Sequence, residues 1–368
     1  MIEMFDLLKT AVLAGSSDIH LGPARPPMMR LKGEMLPLGD YPVMSAEDTK
    51  ALIYGILLDE HKLRFEQNLD LDCSYAIPDF ARFRVNVHFQ KDGVGAVMRV
   101  IQSEMPTPAA LAIEDTIIKL TDLPRGLILV TGPTGSGKTT TLACLIDLIN
   151  QKRTEHILTI EDPIEFVFAS KKCVVTQREV GSHTKSFANA LRAALREDPD
   201  VILVGEMRDL ETIALAMTAA ETGHLVFATL HTTDAAQTID RIVDVFPAEQ
   251  QAMVRTQLAC ALRAVICQTL MPTADGAGRV AAREIMLVTP AIGTMIRDGK
   301  TQQMYGVIDT NSSIGMMSLE RSLEKLVKTG KITPEAAMSK ANKQETLATY
   351  LAMGAPQHTS MSSRYHKK

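Results

Sequence analysis

The 368-residue chain contains no tryptophan, and aromatic residues make up only 4% of it. Proteins that grip single-stranded nucleic acid stack bases on aromatic rings, so this scarcity counts against such a platform. An excess of basic charge is missing too: 39 Lys and Arg stand against 43 Asp and Glu, a formal net charge of −4. That balance lacks the overall footprint of a DNA binder, and no direct contact with nucleic acid is expected. Nowhere does an apolar run reach the roughly 18 residues that a bilayer-spanning helix needs. The opening residues 1–18 carry acids and no basic leading segment, so a secretory signal is not expected. Cysteines are few, and Cys73, Cys144, Cys173, Cys260 and Cys267 never fall at CxxC spacing. They read as small apolar residues of a reducing compartment, and a cytoplasmic location is expected.

What is present is ordinary for a folded protein: 46% hydrophobic and 22% charged residues. The length suffices for two domains, each with its own core. In the first hundred residues, GSSDIHL and MMRLKGEMLPL read as short strands. The stretch from Ser45 to Gln67 opens with a capping signal, Ser45 followed by Glu47 and Asp48, and carries helical periodicity. ARFRVNVHFQ alternates strictly, with Phe83, Val85, Val87 and Phe89 on one face and Arg82, Arg84, Asn86, His88 and Gln90 on the other. The basic face is either simply solvated or meets an anionic partner. Two prolines in residues 102–115 mark a linker. Beyond it, GLILV, EHILTIEDP, DPDVILVGE and GHLVFATL are short apolar strands alternating with helical segments, the pattern of a covered parallel sheet. From Ala248 onward the chain reads as mostly helical, ending in a polar, mobile tail at residues 355–368.

VTGPTGSGKTTT fits G-x-x-x-x-G-K-[ST] through Gly132, Gly137, Lys138 and Thr139, directly after one strand and opening a helix. Glycines let backbone N–H groups turn inward around phosphate oxygens, and the helix N-terminus adds positive potential. The expected ATP-binding residues are Gly132, Pro133, Thr134, Gly135, Ser136, Gly137, Lys138, Thr139 and Thr140. Lys138 can reach the β- and γ-phosphates, and the Thr139 hydroxyl can take a Mg²⁺ position. In DPDVILVGE a strand delivers Gly205 and Glu206 to its C-terminal end, where ligands gather in parallel sheets. Many phosphate-loop proteins carry an Asp where this chain has Gly205, so an acid must come from elsewhere. TIEDPIEF offers Glu161, Asp162 and Glu165. The inferred division is Glu206 as the base that orients water, with Glu161 and Asp162 as acids on the metal side. The blander readings are a helix-capping acid for Glu206 and an ordinary Asp-Pro turn for Asp162. His224 and His231 flank one apolar run, seven positions apart. On a straight strand that offset points them to opposite faces, roughly 23 Å apart at about 3.3 Å per residue, so they are not a chelating pair.

Taken together, GPTGSGKTT, ILTIEDPIEF, REDPDVILVGEMRDLET and TGHLVFATLHTTDA resemble the Walker A, Asp, Walker B and His boxes of type II and type IV secretion ATPases. The resemblance covers nearly the whole chain, and the missing CxxC pairs and missing extra N-terminal domain make it most similar to PilT-type pilus retraction ATPases. It implies an α/β protein, with an N-terminal PAS-like α+β domain followed by a RecA-like P-loop ATPase domain with a helical C-terminal part. The boundaries expected are 1–101 for the PAS-like domain, 102–113 for the linker, 114–290 for the ATPase core and 291–368 for the helical region. It further implies a homohexamer that hydrolyses ATP with Mg²⁺ at subunit interfaces, where Arg82 and Arg84 approach phosphate. His231 resembles the box histidine that reads nucleotide, whereas for His224 a local contact and a functional one stay equally open. The implied role is retraction of type IV pili through an inner-membrane platform protein, with the ring at the cytoplasmic face of that membrane and associated only peripherally. An assembly or secretion motor is the alternative, and a nucleic-acid translocase a more remote one. One departure stands out: where PilT-type proteins carry a motif like AIRNLIRE, this chain has AIGTMIRDGK, in which Ala291, Ile292, Ile296 and Arg297 fit and Gly293 and Thr294 do not. That leaves a principal retraction motor, an accessory paralogue and a diverged form all open.

Overall fold

A computed structural model describes residues 2–31, 33–78, 80–101 and 105–353. The start of the expected linker, 102–104, and the expected mobile tail, 355–368, lie outside the described residues. The chain folds first as α1 (Met4–Leu13), β1 (Asp18–Leu21), β2 (Met28–Leu31), β3 (Glu34–Pro37), α2 (Ala46–Tyr54), α3 (Asp59–Asn68), β4 (Asp70–Ile77), β5 (Ala81–Gln90) and β6 (Gly93–Ile101). Next come α4 (Asp115–Lys119), β7 (Gly126–Thr131), α5 (Lys138–Lys152), β8 (His156–Glu161), β9 (Val174–Glu179), α6 (Phe187–Ala194) and β10 (Val201–Val204). They are followed by α7 (Leu210–Glu221), β11 (Leu225–Leu230), α8 (Ala235–Asp244), α9 (Ala248–Ala261), β12 (Leu262–Pro272) and β13 (Arg279–Leu287). The described chain closes with α10 (Pro290–Asp298), α11 (Met304–Thr310), α12 (Leu319–Lys328), α13 (Pro334–Lys340) and α14 (Gln344–Met353). These elements form two compact units, Met1–Thr107 with Ala143–Glu206, and Pro108–Leu142 with Met207–Lys368.

In the first unit an antiparallel sheet runs β3-β2-β1-β6-β5-β4. Its core face takes Phe83, Val85 and Val87, all at 0% exposure, as their alternation requires. Phe89 departs from that expectation: it is 53% exposed, its ring stacked 5.9 Å from Phe65. The helix expected over 45–67 is two helices, α2 and α3. Ser45 does cap the first, accepting from the Asp48 N–H at 3.0 Å. In one straight helix Phe65 would point roughly 120° away from Ile53 at about 100° per residue. The break between them lets Ile53, Leu57 and Phe65 enter the same core. The unit also holds three parallel strands, with β8 between β10 and β9. Nothing in the sequence had marked β9, a half-exposed strand without apolar alternation.

In the second unit β7 lies between β11 and β12 and runs parallel to both, while β13 pairs antiparallel with β12. Here the sequence reading fails. Residues 262–270, expected to be helical, lie in strand β12. The run Leu262, Ala264, Val265, Ile266 and Cys267 is buried on both faces, so it shows neither helical nor alternating period. Its β-branched Val265 and Ile266 favour the extended form, and β7 supplies the ladder. Cys260, just before it, is exposed, in contrast to the four buried cysteines. Helices α12, α13 and α14 close over β13 through a small core of their own, including Leu319, Leu323 and Leu347.

Candidate active site

The phosphate loop is the turn from β7 into α5. Gly132, Gly135 and Gly137 hold φ of 140°, 78° and 85°, the left-handed side that only glycine enters freely. At Gly132 a Cβ would collide with the Gln268 carbonyl oxygen, and at Gly137 it would stand 2.9 Å from Gln268 Nε2. The loop is therefore pressed against β12 and could not carry side chains at those positions. Lys138 folds back over it, donating to the Gly132 carbonyl at 2.7 Å and the Pro133 carbonyl at 3.2 Å. Ser136 Oγ is buried with no hydrogen-bond partner among the described residues. A buried hydroxyl without a partner, beside a lysine and inward-turned backbone, fits an anionic phosphate ligand. Thr139 and Thr140, in the first turn of α5, are half-buried.

One residue here escaped the sequence reading. Gln268 Nε2 donates to the Ser136 carbonyl at 2.6 Å, and its Oε1 accepts from Thr141 Oγ1 at 2.9 Å. It lay in the segment taken for a helix, so nothing signalled a contact with the loop.

The acids sit in the first unit. β10 and β8 are neighbours with Val204 opposite Ile160, so their ends bring Gly205 beside Glu161. Gly205 N–H donates to the Ile160 carbonyl at 2.7 Å. Glu206 follows at the strand end and is half-buried. Glu161 is 5% exposed. Burial pushes its carboxyl up to about 7, against the opposing pull of hydrogen bonds from Thr159 Oγ1 at 2.7 Å and Gln177 Nε2 at 3.1 Å. Asp162 is exposed and Glu165 half-buried. The adjoining strand ends thus set Glu161 level with Gly205 and carry Glu206 one position further on, the first enclosed and the second partly open to solvent. Among the described residues no cluster of His, Cys, Asp and Glu could hold a metal ion alone.

Arg82 has an intramolecular acceptor. Its Nη2 meets Glu179 Oε2 at 3.0 Å and Ser74 Oγ at 2.9 Å. Glu179, 2% exposed at the end of β9, also accepts from Ser74 Oγ, Ser182 Oγ and the Ile164 N–H at 3.0–3.1 Å. The sequence reading missed this carboxylate, whose partners are up to 105 positions away. Arg84 lies on the same strand face as Arg82, half-buried. His231 stands just past the end of β11 and is exposed. His224 makes a local contact: its Nδ1 lies 2.9 Å from the Ala219 carbonyl at the end of α7, and its own carbonyl accepts from Gly126 N–H at 3.0 Å.

Residues 6–349 match the family described as type II/IV secretion system protein. The chain belongs to that family. The four sequence boxes had pointed to it. Among similar proteins, the type IV pilus retractation ATPase PilT of Pseudomonas aeruginosa is 54% identical over 340 residues, covering 92% of this chain and 98% of the relative. A twitching motility protein of Neisseria gonorrhoeae is 49% identical over 346 residues, covering 94% of this chain and 92% of the relative. A crystal structure of the pilus retraction motor PilT with bound ADP superposes with a TM-score of 0.89 at 47% identity, covering 95% of this chain and 100% of that one. The fold is accordingly that of a secretion ATPase, an N-terminal α+β domain followed by a RecA-like ATPase domain with a helical C-terminal part.

Proposed function

We propose that the chain is a hexameric ATP-hydrolysing motor that powers type IV pilus retraction. The observation that carries this reading is a complete phosphate loop in a chain 54% identical, over nearly its full length, to a pilus retraction ATPase. In the proposed cycle the loop N–H groups and Lys138 hold the triphosphate. Glu206 orients water and takes its proton as the water oxygen bonds to the γ-phosphorus and the bond to the β-phosphate oxygen breaks, leaving ADP and phosphate. Thr139, with Glu161 and Asp162 through water, would hold a Mg²⁺ that neutralises phosphate charge. His231 reads the γ-phosphate or Glu206.

Arg82 and Arg84 reach a neighbouring subunit's phosphates when the ring closes, so hydrolysis is tied to rigid-body motion of the segments 1–101 and 114–290 about the linker 102–113. No helix among the described residues is long and apolar enough to cross a membrane. The ring is proposed to work at the cytoplasmic face of the inner membrane against a platform protein, without touching nucleic acid. Deleting the gene and imaging surface filaments tests the reading. Abundant pili that do not retract support it. Loss of pili would replace it with an assembly motor, and ATPase stimulation of the purified chain by single-stranded DNA with a translocase.

A further inference from the structure

Gln268 and Arg283 form a buried relay beneath the phosphate loop. Besides its bonds to Ser136 and Thr141, Gln268 accepts from Arg283 Nε at 3.0 Å through the same Oε1. Arg283 is 2% exposed, and every nitrogen of its guanidinium is engaged. Nη1 donates to the Ala112 carbonyl at 3.0 Å and to Glu114 Oε2 at 3.1 Å, and Nη2 donates to the Leu111 carbonyl at 3.0 Å. Its backbone N–H donates to Ser322 Oγ at 3.0 Å. Ala112 holds a φ of 46°, a strained conformation for alanine that persists only where its surroundings enforce it. A fully buried arginine is costly to desolvate, and an apolar residue would fill the space more simply. What the guanidinium adds is a fork of fixed geometry.

We propose that Gln268 is a positioning residue for the phosphate loop, and that Arg283 locks its amide and ties it to the segment 111–114. With Oε1 fixed by Arg283 and Thr141, the amide cannot flip, so Nε2 must face Ser136. The Ser136 carbonyl is thereby held back and the loop N–H groups stay turned toward phosphate. Any displacement of residues 111–114 moves the guanidinium, then the amide, then the loop. Nucleotide affinity is thus set in part by the place where the second unit begins.

The inference rests on residues 132–140 being the phosphate loop, and the experiment separates the two. ADP affinity and thermal midpoint are measured for the full chain carrying Gln268→Glu, Arg283→Lys, both together, and Lys138→Ala. Gln268→Glu keeps the acceptor for Arg283 and Thr141 but puts oxygen lone pairs against the Ser136 carbonyl. It should weaken ADP binding about tenfold and raise the KM for ATP with it, more than kcat falls. Arg283→Lys should weaken binding by a smaller factor, and the double variant should be no worse than Gln268→Glu alone, because Arg283 acts through Gln268. A purely structural role would lower the thermal midpoint and leave affinity of the folded protein intact, and that overturns the proposal. So do multiplicative losses in the double variant. Should Gln268→Glu not fold, Thr141→Val loosens the same amide, and unchanged affinity there is equally fatal. If Lys138→Ala binds ADP like the parent, the loop assignment falls and the relay with it.

Discussion

Gly205 and Glu161 lie so close across the paired ends of β10 and β8 that a methyl group on Gly205 would stand 3.3 Å from the Glu161 Cα and 3.1 Å from the Ile160 carbonyl. Both neighbours are backbone and cannot swing aside. Supplying the aspartate common among phosphate-loop proteins, as Gly205→Asp, should therefore damage the site. The expected loss is about 1–3 kcal/mol, seen as a lower thermal midpoint, together with reduced turnover. A variant as stable and active as the parent would show that the space exists after all.

Glu206→Gln keeps the size and the hydrogen-bonding oxygen of the side chain while removing its basicity. ADP binding should persist and ATP turnover should fall by about 10²-fold or more, read from phosphate release. Undiminished turnover would remove Glu206 from the mechanism.

Glu161 gives the fold a pH dependence of defined sign. Its carboxyl titrates near 7 when folded, against an ordinary 4.5. Between those values the folded chain holds a proton that the unfolded chain has released. Stability from this group is therefore full below about 4.5 and is lost as pH rises through 7. Glu284, likewise lifted to about 7 by burial, acts in the same direction. Glu161→Gln retains an oxygen for Thr159 and Gln177 and should remove its share of the slope, on the order of 1–3 kcal/mol, in denaturant titrations at pH 5 and pH 8. An unchanged slope would contradict the assignment.

Arg82 neutralises a carboxylate whose side chain is 3% exposed. Arg82→Ala should cost about 2–4 kcal/mol by stranding the Glu179 charge, and Glu179→Gln in that background should restore part of it. Thermal midpoints of the two single variants and the double variant check this. Additive losses would mean that the pair is not coupled.

Gly293 sits inside α10 without needing glycine geometry, since an added Cβ would meet only Arg297 Nη1 at 3.6 Å and the Ala259 carbonyl at 3.8 Å. Gly293→Ala should raise stability by about 0.5–1 kcal/mol through helix propensity. A lower thermal midpoint would reveal a constraint at this departure from the retraction motif.

The legible parts of this protein were local. The phosphate loop is a contiguous motif between a strand and a helix, and the Ser45 cap involves residues three apart. β12 was unreadable because burial on both faces erases its period, and with it went Gln268. Glu179 carries no signal of its own in the sequence, since the residues that claim it include Ser74 of β4, Arg82 of β5 and Ile164 in the loop after β8. His224 was ambiguous because a helix-end contact and a ligand role ask for the same side chain. Chemistry written in neighbouring letters could be read, and chemistry assembled from distant ones could not.

The partnership of Ser136 with Gln268 spans 132 positions of sequence. On a ribosome adding about 5–20 residues per second, the complete motif emerges roughly 7–26 s before its floor does. Throughout that interval the nascent chain displays every residue of the phosphate motif without the contact that Gln268 adds. If Gln268 positions the loop as proposed, nucleotide binding strengthens once β12 has paired with β7. From then on, each bound molecule would in turn stabilise the strand that supports its loop.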